Sequence, residues 1–247
     1  MKKFALLGLA TALLAGCAPT LAPHTPYLPM LRARGNTEVR AATGFGGSEL
    51  QLGYQATSRL VLHTSLLDYR RLRTGRGFRS VDLGLGYYYL SPNGFWRLGM
   101  HGGLAYGSGT SGSASCFECV AGNRYSSEYD LRYTYAYLQP TVLMLKDARR
   151  TWGFALRVGQ TYYHRLSEVR TEGTTGQPQL LTHAGYTSTF VQPMVQFGYQ
   201  VRPWLGLSSR FGVQGFLGPH SVLNNMAPFV GQVGVHLLVG KWSQPRL

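Results

Sequence analysis

The chain has 247 residues and carries 24 Lys+Arg against 10 Asp+Glu, a formal net charge of +14. That length suits one all-β domain or at most two small ones, and no break in composition divides it. Beyond the N-terminal segment no apolar run is long enough for a membrane-crossing helix, so a structure that spans a bilayer has to be a closed β-barrel.

Lys2 and Lys3 precede the apolar run Phe4 to Ala15, which is too short to cross a bilayer and has the length of a secretory h-region. It leads into Leu14-Ala15-Gly16-Cys17. That tetrad resembles a bacterial lipobox, where a lipoprotein signal peptidase cuts ahead of a diacylated cysteine. The resemblance implies a signal peptide over 1–16, lipidation of Cys17 and passage through lipoprotein-sorting machinery. Ala18, in place of aspartate, fits lipoproteins sorted to the outer membrane. The alternative is an ordinary exported chain cut at a small residue nearby. Without Lys2 and Lys3 the balance is 22 basic against 10 acidic residues, or +12, and only Lys146 and Lys241 remain as lysines. Export disfavours nucleic acid as the partner of this charge.

Residues 17–35 include Pro19, Pro23, Pro26 and Pro29. Proline removes amide donors and holds an extended backbone, so this stretch reads as a lipidated tether. A segment that folds back and partly plugs a lumen is the second reading.

Residues 36–242 alternate between apolar and small or polar positions in runs of the length a tilted spanning strand requires. The candidates are 37–46, 48–56, 60–70, 79–90, 94–107, 128–144, 151–167, 186–201, 204–217 and 227–241. Val81 to Tyr106 shows the pattern best. Val81, Leu83, Leu85, Tyr87 and Tyr89 alternate with Asp82, Gly84, Gly86 and Tyr88, and after Ser91-Pro92-Asn93-Gly94 the alternation resumes from Trp96. Tight connections (55–59, 91–94, 147–150 and 202–203) alternate with longer ones (70–79, 108–127, 168–185 and 218–226). That sidedness resembles an outer-membrane barrel. A short tail, 243–247, follows the last strand, whose alternating Val233, Val235, Leu237 and Val239 look like a barrel-assembly signal and imply the barrel-assembly machinery as a partner.

The face opposite the apolar one decides between a membrane barrel and a soluble lipocalin-like one. It holds Gly53, Gly84, Gly86, Gly99 and Gly103, with Arg40, Asp82, Arg97, His101, Asp130, Arg132, Arg157 and Arg210 among them. Small residues with scattered charges suit a narrow lumen with a hydrogen-bonded network, whereas a soluble barrel would turn a Lys-, Glu- and Thr-rich face to water. Arginine outnumbers aspartate there, which points to anions or water. Trp96, Trp152 and Trp204 each open a strand after a tight turn and Trp242 closes the last, so all four fall at one rim as interface anchors. Tyr106, Tyr133, Tyr162, Tyr186 and Phe216 would make the opposite girdle. Pro140 and Pro193, mid-strand in similar strings, each predict a bulge.

In the longer loops, Cys116-Phe117-Glu118-Cys119 admits a redox pair, half a zinc site or a small disulfide. With no second pair and an oxidising location, a loop-stiffening disulfide is favoured. Arg70, Arg71, Arg73, Arg76 and Arg79 form either a solvated basic loop or a contact for lipopolysaccharide phosphates, which guanidinium groups bind well. His164, Ser167 and Glu168, with His183 beyond, resemble the His, Ser and Glu set of barrel-type lipid A deacylases, though their spacing departs from it. The acidic pairs of omptin-type proteases have no match.

The whole of residues 36–242 is similar to small outer-membrane β-barrel proteins. The expected fold is a closed antiparallel up-and-down barrel of about ten strands, eight or twelve being the alternatives. The expected role is a non-enzymatic outer-membrane lipoprotein, anchored on the periplasmic side, that is structural or binds a ligand through its outer loops. It would use no cofactor or metal, and its partners are membrane lipids. A narrow anion-preferring pore, a lipid A-modifying enzyme and a soluble carrier are the alternatives.

Overall fold

Period-two alternation becomes strand throughout the computed structural model, which describes residues 24–31, 33–44, 47–70, 77–92, 94–115, 125–145, 149–172, 179–183, 185–217 and 229–240. The strands are β1 (Thr37–Gly44), β2 (Gly47–Gln55), β3 (Leu60–Arg70), β4 (Gly77–Leu90), β5 (Trp96–Ser115) and β6 (Tyr125–Met144). They continue as β7 (Arg150–Glu172), β8 (Gln179–His183), β9 (Tyr186–Arg202), β10 (Leu205–Val213), β11 (Gly215–Leu217) and β12 (Phe229–Val239). Each pairs antiparallel with its neighbours, and β12 pairs with β1 from Thr37↔Val239 to Gly44↔Gln232, closing the sheet. β8 and β9 follow one register along β7 with a break at Gly185, and β10 and β11 follow one register along β9 with a break at Gln214. The twelve segments therefore make a closed antiparallel barrel of ten staves.

The connections after β2, β4, β6 and β9 are tight and lie at one end; the other end carries the longer connections together with the two-residue link between β1 and β2. The wall is uneven. β1 and β2 have 8 and 9 residues, whereas β5, β6 and β7 have 20, 20 and 23. The stretches 108–127 and 168–185, expected as loops, are in large part strand, because β5, β6 and β7 rise well above the rest of the ring.

Side-chain direction follows the alternation. Leu83, Leu85, Leu104, Leu138 and Val233 point outward, with Leu104 67% and Leu83 62% exposed. Asp82, Tyr88, Arg97, His101, Arg157 and Arg210 point inward and are buried. Large apolar residues outside and polar ones inside is the arrangement of a membrane barrel and the reverse of a soluble one. No helix among the described residues is long and apolar enough to cross a membrane.

Two expectations about the strands fail. Pro140 and Pro193 sit in unbroken register, flanking Leu156 of β7 in the two neighbouring strands, and face outward. The register shifts lie elsewhere, at Arg132/Tyr133 of β6 and at Leu205/Gly206 of β10. On β6 the direction is also the opposite of the one expected. Tyr129, Leu131, Tyr133, Tyr135 and Tyr137 point inward and, with Phe78, Tyr163 and Phe190, fill the lumen towards the long-loop end. Asp130 and Arg132 therefore face outward and are not lumen residues, and Tyr133, Tyr186 and Phe216, which pack in or against the inward cluster, belong to no outer girdle. Above the apolar band the outside is polar, so the tyrosines take the interior and the charges take water or headgroups.

Candidate functional site: a lumen filled by an N-terminal arm

The rest of the lumen is occupied by the chain itself. Residues 24–31, His-Thr-Pro-Tyr-Leu-Pro-Met-Leu, run inside the barrel, and every one of them is buried. Read from sequence as part of a tether, these eight residues are an internal arm. Leu31 lies at the tight-turn end, where its carbonyl accepts a 2.5 Å hydrogen bond from Arg97 Nη1. His24 lies higher, between β2, β3 and β4, so the arm descends from the long-loop half towards the tight turns.

An extended chain inside a barrel has no ladder partner, so its backbone must be satisfied by side chains. Here the lumen supplies them. The carbonyls of His24, Thr25, Tyr27 and Leu28 accept from Gln192 (3.1 Å), Gln51 (3.0 Å), Gln139 (2.9 Å) and Arg40 (3.1 Å). Glu49 accepts from the Thr25 amide at 3.2 Å and Glu38 from the Met30 amide at 2.9 Å. Pro26 and Pro29 have no amide hydrogen, which removes two donors that the lumen would otherwise have to satisfy.

Three charged groups organise this network. Arg40 and Glu38 form a fully buried pair at 2.5 Å, and Tyr27 donates to the other Glu38 oxygen at 3.0 Å. Arg157 meets Asp82 at 3.3 Å, with Tyr137 donating to Asp82 at 2.8 Å and the guanidinium 4.0 Å from the Tyr137 ring centre. Arg210 bonds Gln51 (2.7 Å), Gln196 (3.1 Å) and Thr25 Oγ1, which itself donates to Glu49. The arginine excess read from sequence is thus offset by Glu38 and Glu49, two inward carboxylates that the sequence reading left out. Their position was legible from Arg40 and Gln51, which share their parity.

At the upper end of the arm, His24 Nε2 is 2.6 Å from Ser80 Oγ, and its Nδ1 is 3.1 Å from Glu49 Oε1 and 2.8 Å from Ser65 Oγ. Below, Tyr27 stacks on His63 at 4.9 Å between ring centres, and His63 lies 5.4 Å from His101. Glycine makes room for these rings. A Cβ at Gly84 would lie 2.5 Å from the His63 ring and one at Gly86 2.4 Å from His101.

The remaining expected residues are dispersed. Trp96 and Trp152 lie on one lateral row through Met144, and with Trp204 all three are exposed at the tight-turn end. Cys17, Arg71, Arg73, Arg76, Cys116, Cys119 and Trp242 lie outside the described residues, as do the side chains of Arg70 and His183. His164 points outward and contacts Thr134 at 3.1 Å, while Ser167 and Glu168 are buried, with Tyr129 donating to Glu168 at 3.3 Å. The structure does not join them into a catalytic set. Among the described residues no group of three or more His, Cys, Asp or Glu side chains is placed to hold a metal.

A closed ten-stranded antiparallel barrel similar to those of outer-membrane proteins is the class this fold defines. No protein-family model matches the chain, and no curated protein matches it. Among solved structures it is similar to the translocator domain of the autotransporter NalP from Neisseria meningitidis, at 12% identity over 96% of this chain and 94% of that one, with a TM-score of 0.41. It is also similar to outer membrane phospholipase A from Escherichia coli, at 10% identity over 84% and 93%, TM-score 0.23. A third similarity is to OmpT of Vibrio cholerae, at 9% identity over 83% and 95%, TM-score 0.17. At these values the likenesses bring neither activity nor ligand to this chain.

Proposed function

We propose that the protein is a non-enzymatic outer-membrane lipoprotein barrel with a permanently closed lumen, structural or ligand-binding at its long-loop end. It is acylated at Cys17 and reaches the membrane through the lipoprotein-sorting and barrel-assembly machineries. One observation carries the reading: the arm 24–31 fills the lumen and is held by buried charged pairs and amide side chains from the staves around it. Such a barrel neither conducts nor turns over substrate, and its exposed wall and loops are what remains for binding. The anion-preferring pore loses its motive, because Arg40, Arg157 and Arg210 are engaged by Glu38, Asp82, Gln51 and the arm. Planar-bilayer recording on the full-length protein tests the reading, with no discrete conductance expected and steady anion-selective channels overturning it. Radiolabelled palmitate incorporation that is abolished by Cys17→Ser tests the acylation separately.

A second reading rests on Ser80, His24 and Glu49, whose contacts follow the nucleophile, base and acid order of a serine hydrolase. All three are buried, and the Ser65 hydroxyl shares Nδ1 with the carboxylate. The same contacts serve to pin the arm. Covalent labelling of Ser80 by a fluorophosphonate would establish the hydrolase, and its absence leaves His24 as an anchor.

A further inference from the structure

The register brings outward residues of neighbouring strands into level rows. One row runs Leu207–Val235–Ala41–Leu50–Leu66–Val81–Tyr106 across β10, β12 and β1 to β5, and it is apolar throughout. The next outward row towards the long loops runs Thr43–Ser48–Asp68–Arg79–Ser108–Arg132–Arg165 across β1 to β7, and it is polar throughout. From β1 to β5 a single register step thus separates hydrocarbon-facing from headgroup-facing wall; on β6 and β7 the lower row continues as Thr134 and Tyr162. Arg79, Arg132 and Arg165 stand on that boundary, all exposed. Arg79 has Asp68 at 3.3 Å and Arg165 has Asp130 at 3.1 Å, while Arg132 has no ion-pair partner among the described residues.

Directly beneath, the wall is hollowed where small residues interrupt large ones. One groove, of about 1080 Å³, has Ala41 on its floor between Leu50, Leu66 and Val235. A second, of about 630 Å³, has Ala136 among Leu83, Leu104, Tyr106 and Tyr162, with Thr134, Gln160 and Thr187 as its polar margin. Apolar grooves ending under a row of guanidinium groups match an amphiphile with several acyl chains and more than one phosphate.

We propose that this wall is a binding site for a phosphorylated multi-acyl glycolipid of the outer leaflet, with lipid A chemistry. Acyl chains lie in the Ala41 and Ala136 grooves, and the phosphates are held by Arg132 and Arg165, with Arg79 on the far side of Ser108. The planar donors of arginine suit phosphate oxygens better than a point charge would. The site rests on the outer-membrane reading above, but it moves the contact from the loop arginines to the wall and adds Arg165 and Arg132, the latter assigned to the lumen by alternation alone.

The test is native mass spectrometry and equilibrium binding of the full-length protein in detergent with hexa-acylated diphosphoryl lipid A. Arg132→Gln/Arg165→Gln is expected to weaken binding at least tenfold. Ala136→Trp, which fills a groove and leaves the arginines in place, is expected to weaken it similarly, and Asp130→Asn to strengthen it. Each variant must keep the wild-type shift between unheated and boiled gel migration, which shows an intact barrel. Unchanged binding by the double arginine variant overturns the proposal. So does equal affinity for dioleoyl phosphatidylglycerol, which would mean a generic anionic surface. Loss of binding only on replacing Arg71, Arg73 and Arg76 together would keep a lipid contact in the loop and remove it from the wall.

Discussion

Gly53 of β2 lies so close under Tyr27 that a Cβ placed there would stand 1.7 Å from the phenolic oxygen. The glycine of the wall and the tyrosine of the arm therefore fit only as a pair. Gly53→Ala has to displace the Tyr27 ring and its bond to Glu38, at a cost of about 1–3 kcal/mol for overpacking a filled interior. The temperature at which unheated protein converts to the slow-migrating gel form should fall accordingly. Gly53→Ala should cost less in a Tyr27→Ala background than in the wild-type protein, and that non-additivity would establish the contact.

The Glu38–Arg40 pair allows a sharper test. Removing one member leaves an uncompensated charge inside the barrel, so Glu38→Gln should destabilise by about 3–5 kcal/mol. Glu38→Gln/Arg40→Met should cost less than Glu38→Gln alone, because no isolated charge remains. Guanidinium unfolding midpoints in detergent would rank the three proteins.

Deleting residues 24–31 removes the filling but leaves Arg40, Arg157 and Arg210 in the wall. The shortened protein should conduct where the full-length one does not. Its reversal potential under a KCl gradient should show only a weak preference for chloride, since four inward arginines, Arg40, Arg97, Arg157 and Arg210, then stand against Glu38, Glu49 and Asp82. Silence from a folded deletion variant would mean that the inward tyrosines of β6 and β7 close the lumen unaided.

The direction of the arm predicts which side its beginning faces. His24 sits in the long-loop half, with the arm below it and the inward tyrosine cluster beside it towards the long loops. Cys17 is seven residues earlier in the sequence, a reach of at most about 25 Å when fully extended. A lysine introduced as Ala22→Lys should react with an impermeant amine reagent on intact cells, whereas one introduced as Thr57→Lys, in the tight connection after β2, should not. Labelling only after permeabilisation would restore the periplasmic anchor that the signal sequence alone suggests.

Exposed Trp96, Trp152 and Trp204 share the tight-turn rim. Their fluorescence should be quenched more by lipids brominated near the headgroup than by lipids brominated at the chain ends, as expected of an interfacial belt. The opposite order would place the rim within the hydrocarbon.

The strands and their order were legible because alternation and turn chemistry are local. On β4 and β5 Gly84, Gly86, Gly99 and Gly103 marked the interior, although Gly102 faces outward, and Arg97, His101 and Asp82 fell where expected. β6 misled because tyrosine is at home on either side of a barrel, so parity had to be set by its neighbours, not by its own residues. The arm misled for a different reason. A run with four prolines reads as spacer, and what holds it inside comes from residues as far as 185 positions away, as in the Arg210–Thr25 contact. No window of sequence contains both halves of that interaction. The hint available was Glu38 and Glu49 facing inward, two buried carboxylates that required donors.

Arg40 on β1 reaches Gln196 on β9 at 3.0 Å, Arg210 on β10 reaches the same glutamine, and Arg210 also reaches Gln51 on β2 at 2.7 Å. These chords pass behind β12, the last strand to arrive, and tie the staves on either side of it to one another. A tube zipped by one ladder between its first and last strands has a seam, and membrane barrels part most easily there. Here the seam is cross-braced from within. The bracing forms only after closure, so it should leave assembly speed unchanged, and all of its stabilisation should appear as slower spontaneous opening.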